Sequence, residues 1–223
     1  DGSITSSVRA NASAGFSICT YTGSTGNQSF GHGLNAAPKF IVIKNRSTAA
    51  NWFAMVDIGT TYLKYGHLNA TDAFGDATAQ SVSSSTVTLG NNNAWFGANG
   101  DNYVAYCFAP VAGYSAFGTY TGNGSSSDGT FVHLGFRPKF LLVKGNATID
   151  WIIEDSSRDT FNQMNKRLYP NDSVAESTST NGNMDFLSNG FKPRTAHLSL
   201  NSSGTTYYYA AFCEHPFKTA RAR

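Results

Sequence analysis

Residues able to do acid–base chemistry are few in this chain and unevenly placed. Carboxylates gather near two tryptophans: Asp57 follows Trp52, while Asp150, Glu154, Asp155 and Asp159 surround Trp151. Two carboxyl groups held roughly 5–9.5 Å apart across a sugar ring would make a glycosidase. Arg158, Lys166 and Arg167 stand beside the second group, so ordinary ion pairs are the plainer expectation. The five histidines, His32, His67, His133, His197 and His215, show no metal-ligand spacing, and each is assigned a structural or surface role. "NGDN" at 99–102 offers oxygens to a calcium ion, yet such residues make a turn without one. "GHGLNA" from Gly31 fits the spacing of a dinucleotide fingerprint but runs into Pro38 and a strand instead of a helix, which argues against that site. Serine-elbow, zinc-protease and phosphate-loop patterns are missing. The expectation is therefore no catalytic residue, no metal and no cofactor.

A binding surface fits the remaining chemistry better. Tyr, Ser, Gly and Asn dominate the stretches between apolar runs, a palette of rigid amphipathic rings and short hydrogen-bonding groups that adapts to ligands at little entropic cost. Sugars suit it, because their apolar faces stack on aromatic rings and their hydroxyls bond to amides and carboxylates. Ligand candidates in the first half are Tyr62, Tyr65, His67, Asn91, Asn92, Asn93, Trp95, Asn99 and Asp101. Arg158, Asp159, Tyr169, Asn171 and Asp172 are their counterparts in the second. Trp52 and Trp151 open apolar runs at matching positions and read as core, whereas Trp95 has no matching tryptophan and is the stronger ligand candidate.

Composition narrows the partners. Charged residues are only 13 % of the 223, and the net charge is +2, too little to recruit nucleic acid or an anionic membrane by its field. No apolar run approaches the ~18 residues of a membrane span. Cys19, Cys107 and Cys213 lie in apolar runs without C-x-x-C spacing, as small buried residues formed in a reducing compartment would.

The elements that must position these groups are written twice. Tyr21-Thr22-Gly23 matches Tyr120-Thr121-Gly122, the run Pro38–Lys44 matches Pro138–Lys144, Trp52 matches Trp151, and Leu68 matches Leu168. "YVAYCFA" from Tyr103 matches "YYYAAFC" from Tyr207. Short apolar runs bounded by Pro and polar turns read as central strands, and the tryptophan segments as second arms of hairpins. Helical periodicity is nearly absent; the best candidate is a turn or two at 158–166. The fold class expected is all-β: a duplicated β-sandwich, jelly-roll or lectin-like, with two closely packed pseudo-symmetric halves that could share a sheet.

"AGFSICTYTG", "GHGLNAAPKFIVIKN", "NYVAYCFAPVAGYSAFGTYTGNG", "FVHLGFRPKFLLVKG", "DSSRDTFNQMNKRLYPNDSVAEST" and "YYYAAFCEHPF" together resemble a duplicated domain of uncharacterised function found in tailed-bacteriophage virion proteins, at the far ends of tail fibres or tail spikes. The resemblance covers about residues 14 to 217. It implies a virion setting, assembly in the bacterial host cytoplasm, a homotrimeric fibre and a residue 1 that is not a natural start. It carries no catalytic or ligand residues. The organisation expected is a connector at 1–14, β repeats at 15–113 and 114–217, and a basic tail at 218–223. The functional expectation is a non-catalytic receptor-binding module for a host cell-surface glycan or outer-membrane component. A structural virion domain and a polysaccharide depolymerase are the alternatives.

Overall fold

The computed structural model describes residues 1–90, 93–179 and 182–213. It is all-β, and every strand pairing is antiparallel. Two compact units divide it: Asp1–Ala70 with Phe74–Pro110, and Thr71–Ala73 with the chain from Val111 onward.

In the first unit the strands are β1 (Ser6–Asn11), β2 (Phe16–Thr22), β3 (Gln28–Gly31), β4 (Phe40–Asn45) and β5 (Phe53–Val56). They continue with β6 (Leu63–His67), β7 (Gly75–Ala77), β8 (Ser81–Val82), β9 (Thr86–Leu89) and β10 (Asn102–Phe108). A seven-stranded sheet runs β1-β2-β10-β4-β5-β6-β7, and a small one runs β3-β9-β8. Side chains alternate across a strand, so β10 turns Tyr103, Ala105 and Cys107 inward, beside Cys19 and Tyr21 of β2. These residues meet Phe30, Val87 and Leu89 of the small sheet in one core. That is a two-layer sandwich.

The second unit contains β11 (Ser115–Thr121), β12 (Val132–His133), β13 (Pro138–Gly145), β14 (Ile152–Asp155), β15 (Met184–Leu187), β16 (Gly190–Pro193) and β17 (Thr206–Cys213). Its sheets run β11-β17-β13-β14 and β12-β16-β15. Tyr120, Leu141, Val143, Ile152 and Tyr207 of the larger sheet close on Val132, Met184, Phe186 and Phe191 of the smaller. The order β11-β17-β13-β14 follows the same plan as β2-β10-β4-β5 in the first unit. Each sheet belongs to one unit, which corrects the expectation of a sheet shared between the halves.

One clasp explains why Tyr-Thr-Gly is written twice. The Tyr21 hydroxyl donates to the Phe96 carbonyl, and the Tyr120 hydroxyl to the Leu200 carbonyl, each at 2.7 Å. The following glycine lies flat against the same turn. A β-carbon on Gly23 would come within 2.2 Å of the Ala98 oxygen, and one on Gly122 within 2.2 Å of the Ser202 oxygen. Only a residue without a side chain fits there.

Two expectations change. Residues 158–166 form turns and no helix, because the Asp159 carboxylate accepts the Asn165 and Lys166 N–H groups and holds the segment in a loop. Much of the segment read as connector is instead β1, paired along β2 from Ser6–Tyr21 to Asn11–Phe16. The tail at 218–223 lies outside the described residues.

Candidate functional site

Tyr65, His67 and Trp95 do come together. The strand β6 carries the first two on one face, and the turn 93–97 brings the third. His67 and Trp95 meet edge to face at 4.6 Å between centroids, and Tyr65 and Trp95 stack on Phe53 at 5.4 and 6.2 Å. Asn93 shapes the turn: its side-chain oxygen accepts the Trp95 N–H at 2.8 Å, and its carbonyl accepts those of Phe96 and Gly97. Tyr65 and Trp95 are partly buried and packed on the core, and His67 is buried. The group therefore packs as an extension of the first core. His197 does in the second unit what Asn93 does in the first, accepting the Ser199 N–H on Nδ1 and those of Leu200 and Asn201 on its carbonyl.

The other candidates are dispersed. Tyr62 is exposed on a separate turn. Asp101 accepts from the Asn45 amide and the Thr48 hydroxyl at 2.8 and 3.1 Å, which accounts for the NGDN turn without an ion. Arg158 is clamped by Asp155 at 2.6 Å and Glu176 at 2.7 Å. Burial raises the Asp155 carboxyl, but the Arg158 N–H and guanidinium outweigh it and hold the group below the usual carboxylate range. Tyr169 packs on the second core, and Asn171 accepts the Trp151 N–H. Asp172 closes an exposed turn by accepting from Ser173. Trp151 is core as expected, whereas Trp52 is only half-buried, with the Lys44 ammonium 5.9 Å from its ring centre. Asn91, Asn92 and His215 lie outside the described residues.

His32 is likewise structural. Its Nδ1 accepts the Leu34 N–H and its Nε2 faces the Ser83 carbonyl at 3.2 Å, so Nε2 carries the proton. Burial lowers its pKa, which favours that neutral form.

A surface depression lies elsewhere. An open depression of about 510 Å³ at one end of the seven-stranded sheet is lined by Ile4, Thr5, Thr20, Tyr21, Thr22, Gly23, Arg46 and Asn102. Antiparallel pairing builds it. Asn102 sits opposite Thr22, Ser6 opposite Tyr21 and Tyr103 opposite Asn45, so the ends of β2, β10 and β4 and the entry to β1 align. Since Tyr21 points into the core, alternation turns Thr20 and Thr22 outward. The Thr22 hydroxyl donates to the Asn102 side-chain oxygen at 3.0 Å, and the Arg46 N–H donates to the Asn102 carbonyl at 2.7 Å. Its volume falls within the roughly 300–1,000 Å³ range of ligand pockets. Its lining of hydroxyls, one amide and one guanidinium can hydrogen-bond a polyhydroxylated ligand.

None of these lining residues was singled out from sequence as a ligand contact, although Asn102 stands in the NGDN run and Tyr21, Thr22 and Gly23 in the repeat. Thr5, Thr20 and Thr22 are ordinary in a chain rich in threonine, and Thr5 falls in the segment read as connector. In the second unit Asn146 takes the place of Arg46, its N–H donating to the Thr206 carbonyl, and among the described residues β11 is the edge of its sheet, with no counterpart of β1 beside it.

A family model described as a domain of unknown function (DUF7483) matches residues 1–216. No curated protein and no solved structure matches the chain.

Proposed function

We propose that the chain, which belongs to the DUF7483 family of domains of unknown function, is a non-catalytic carbohydrate-recognition module that acts as a receptor-binding part of a bacteriophage tail fibre or spike. The observation that carries the reading is the depression of about 510 Å³ walled by Thr5, Thr20, Thr22 and Asn102. Hydroxyl and amide groups at a strand-end surface can donate to and accept from sugar hydroxyls. Individual contacts of this kind are weak, and several copies on a virion raise avidity by orders of magnitude. The phage setting rests on the sequence resemblance alone.

Cleavage of a polysaccharide fits less well. Asp155 is engaged by Arg158, and Asp159 by two backbone N–H groups. Glu154 is fully buried. A structural role in the virion draws support from β1, which lies at the outer edge of its sheet with five of its six residues exposed, a row open to pairing with another chain.

The test is binding of the fluorescently labelled chain to a panel of bacteria, with surface polysaccharide stripped in parallel. Binding that disappears on stripping supports glycan recognition. Self-association without binding to any strain supports the structural role and removes the receptor reading.

A further inference from the structure

The depression carries charge of one sign. Among the described residues Arg46 is its sole ionised lining residue, and no carboxylate lines it. The guanidinium belongs to an exposed residue whose backbone is fixed to Asn102 by a 2.7 Å hydrogen bond, so its stem starts from a defined point. Among the described residues Lys39 pairs with Asp57, Lys64 with Asp76, Arg158 with Asp155 and Glu176, Lys192 with Asp128, and Arg194 with Asp185. Arg46 stands instead among hydroxyls. A guanidinium presents a planar fork of donors that fits a carboxylate through two parallel hydrogen bonds, which a neutral hydroxyl cannot reciprocate. Asparagine at the corresponding position of the second unit, Asn146, carries no such charge.

We propose that the depression selects a sugar bearing a carboxylate, with Thr22 and Asn102 meeting ring hydroxyls and Arg46 meeting the acid. This rests on the carbohydrate reading above and adds the substrate class to it. The carboxylate would lie over the end of β4 and the ring over β2 and β10.

The isotope-labelled full chain is titrated with glucuronate, methyl glucoside and inorganic phosphate while the amide and guanidinium NMR signals of Thr22, Asn102 and Arg46 are followed. Glucuronate is expected to shift all three and to bind about tenfold more tightly than the glucoside, the gain of one charge-assisted pair. Arg46→Gln should bring glucuronate down to the glucoside's affinity, and Arg46→Lys should retain part of the gain. Both variants alter an exposed side chain and leave the fold intact. Equal binding of the two sugars overturns the selection of charge and leaves the carbohydrate reading standing. Phosphate binding as well as glucuronate, with no glucoside binding, overturns both and makes Arg46 a general anion contact. Failure of both sugars to shift these signals overturns the inference, and loss of cell binding on stripping polysaccharide then still decides the broader reading.

Discussion

Glu154 lies on the inner face of β14, opposite Leu141 and next to the core, with its residue 1 % exposed and neither carboxyl oxygen hydrogen-bonded. Desolvation raises its pKa well above the ordinary range; Arg167 and Arg158 oppose the rise and Asp159 adds to it. Tyr120, across the core, has its own pKa raised by burial and by the Glu154 charge. Arg167, 2 % exposed with its Nε unbonded, is the largest compensating charge but makes no hydrogen bond to the carboxylate. A raised folded-state pKa means that the folded chain holds a proton the unfolded chain has lost. Stability from the neutral carboxyl is therefore present in acid and falls as pH rises from about 4.3, at a limiting slope of about 1.4 kcal/mol per pH unit, until pH passes the folded-state value. In a unit of this size each kcal/mol corresponds to about 4 °C in Tm. Glu154→Gln keeps the shape and removes the proton. Thermal unfolding followed by tryptophan fluorescence reports it, since Trp151 lies buried three residues away. Below the Lys144 pKa of about 8, the wild type should lose stability with rising pH relative to the variant. Parallel profiles for the two proteins would refute the reasoning.

Lys144, fully buried, has its pKa lowered to about 8 by desolvation, against the pull of Asp72 and Asp150. The unfolded chain keeps that proton to about pH 10.4, so stability from this residue rises between the two values, and Lys144→Met should lose that rise in the same unfolding assay. Gly23→Ala and Gly122→Ala each drive a β-carbon to 2.2 Å from a backbone oxygen and should cost about 1–3 kcal/mol or more, read as a lower midpoint in urea. Tyr21→Phe leaves the Phe96 carbonyl without its 2.7 Å donor and should cost about 1–3 kcal/mol. Equal midpoints for wild type and Tyr21→Phe would show that the clasp is held by packing alone.

The fold was more legible than the site. Strands such as Phe40–Asn45 and Pro138–Gly145 are short apolar runs between breakers, a signal contained in neighbouring residues, and both are largely buried on both faces. Repeated Tyr-Thr-Gly pointed to a shared element, but its partners lie 75 and 80 residues away, a distance no local pattern spans. Trp95 looked like a ligand group because it is a lone aromatic in a polar stretch; the contacts that draw it onto Phe53 come from another strand. Thr5, Thr22, Arg46 and Asn102 gain their meaning only from the register of four neighbouring strands. The loop at 158–166 differs from a helix because one carboxylate, Asp159, captures two backbone donors, which helical periodicity does not encode.

The strand order also governs how the chain can leave a ribosome. β10, the last strand of its unit, lies between β2 and β4, and β17 lies between β11 and β13. Until residue 108 has emerged, β2 and β4 have unfilled edges facing a gap and Tyr21 has no finished turn to clasp. Such central, late insertion makes closure a non-local and slow step, with apolar edges open to neighbouring chains meanwhile. A chain ended just before Asn102 should therefore accumulate as aggregate instead of as a smaller folded unit.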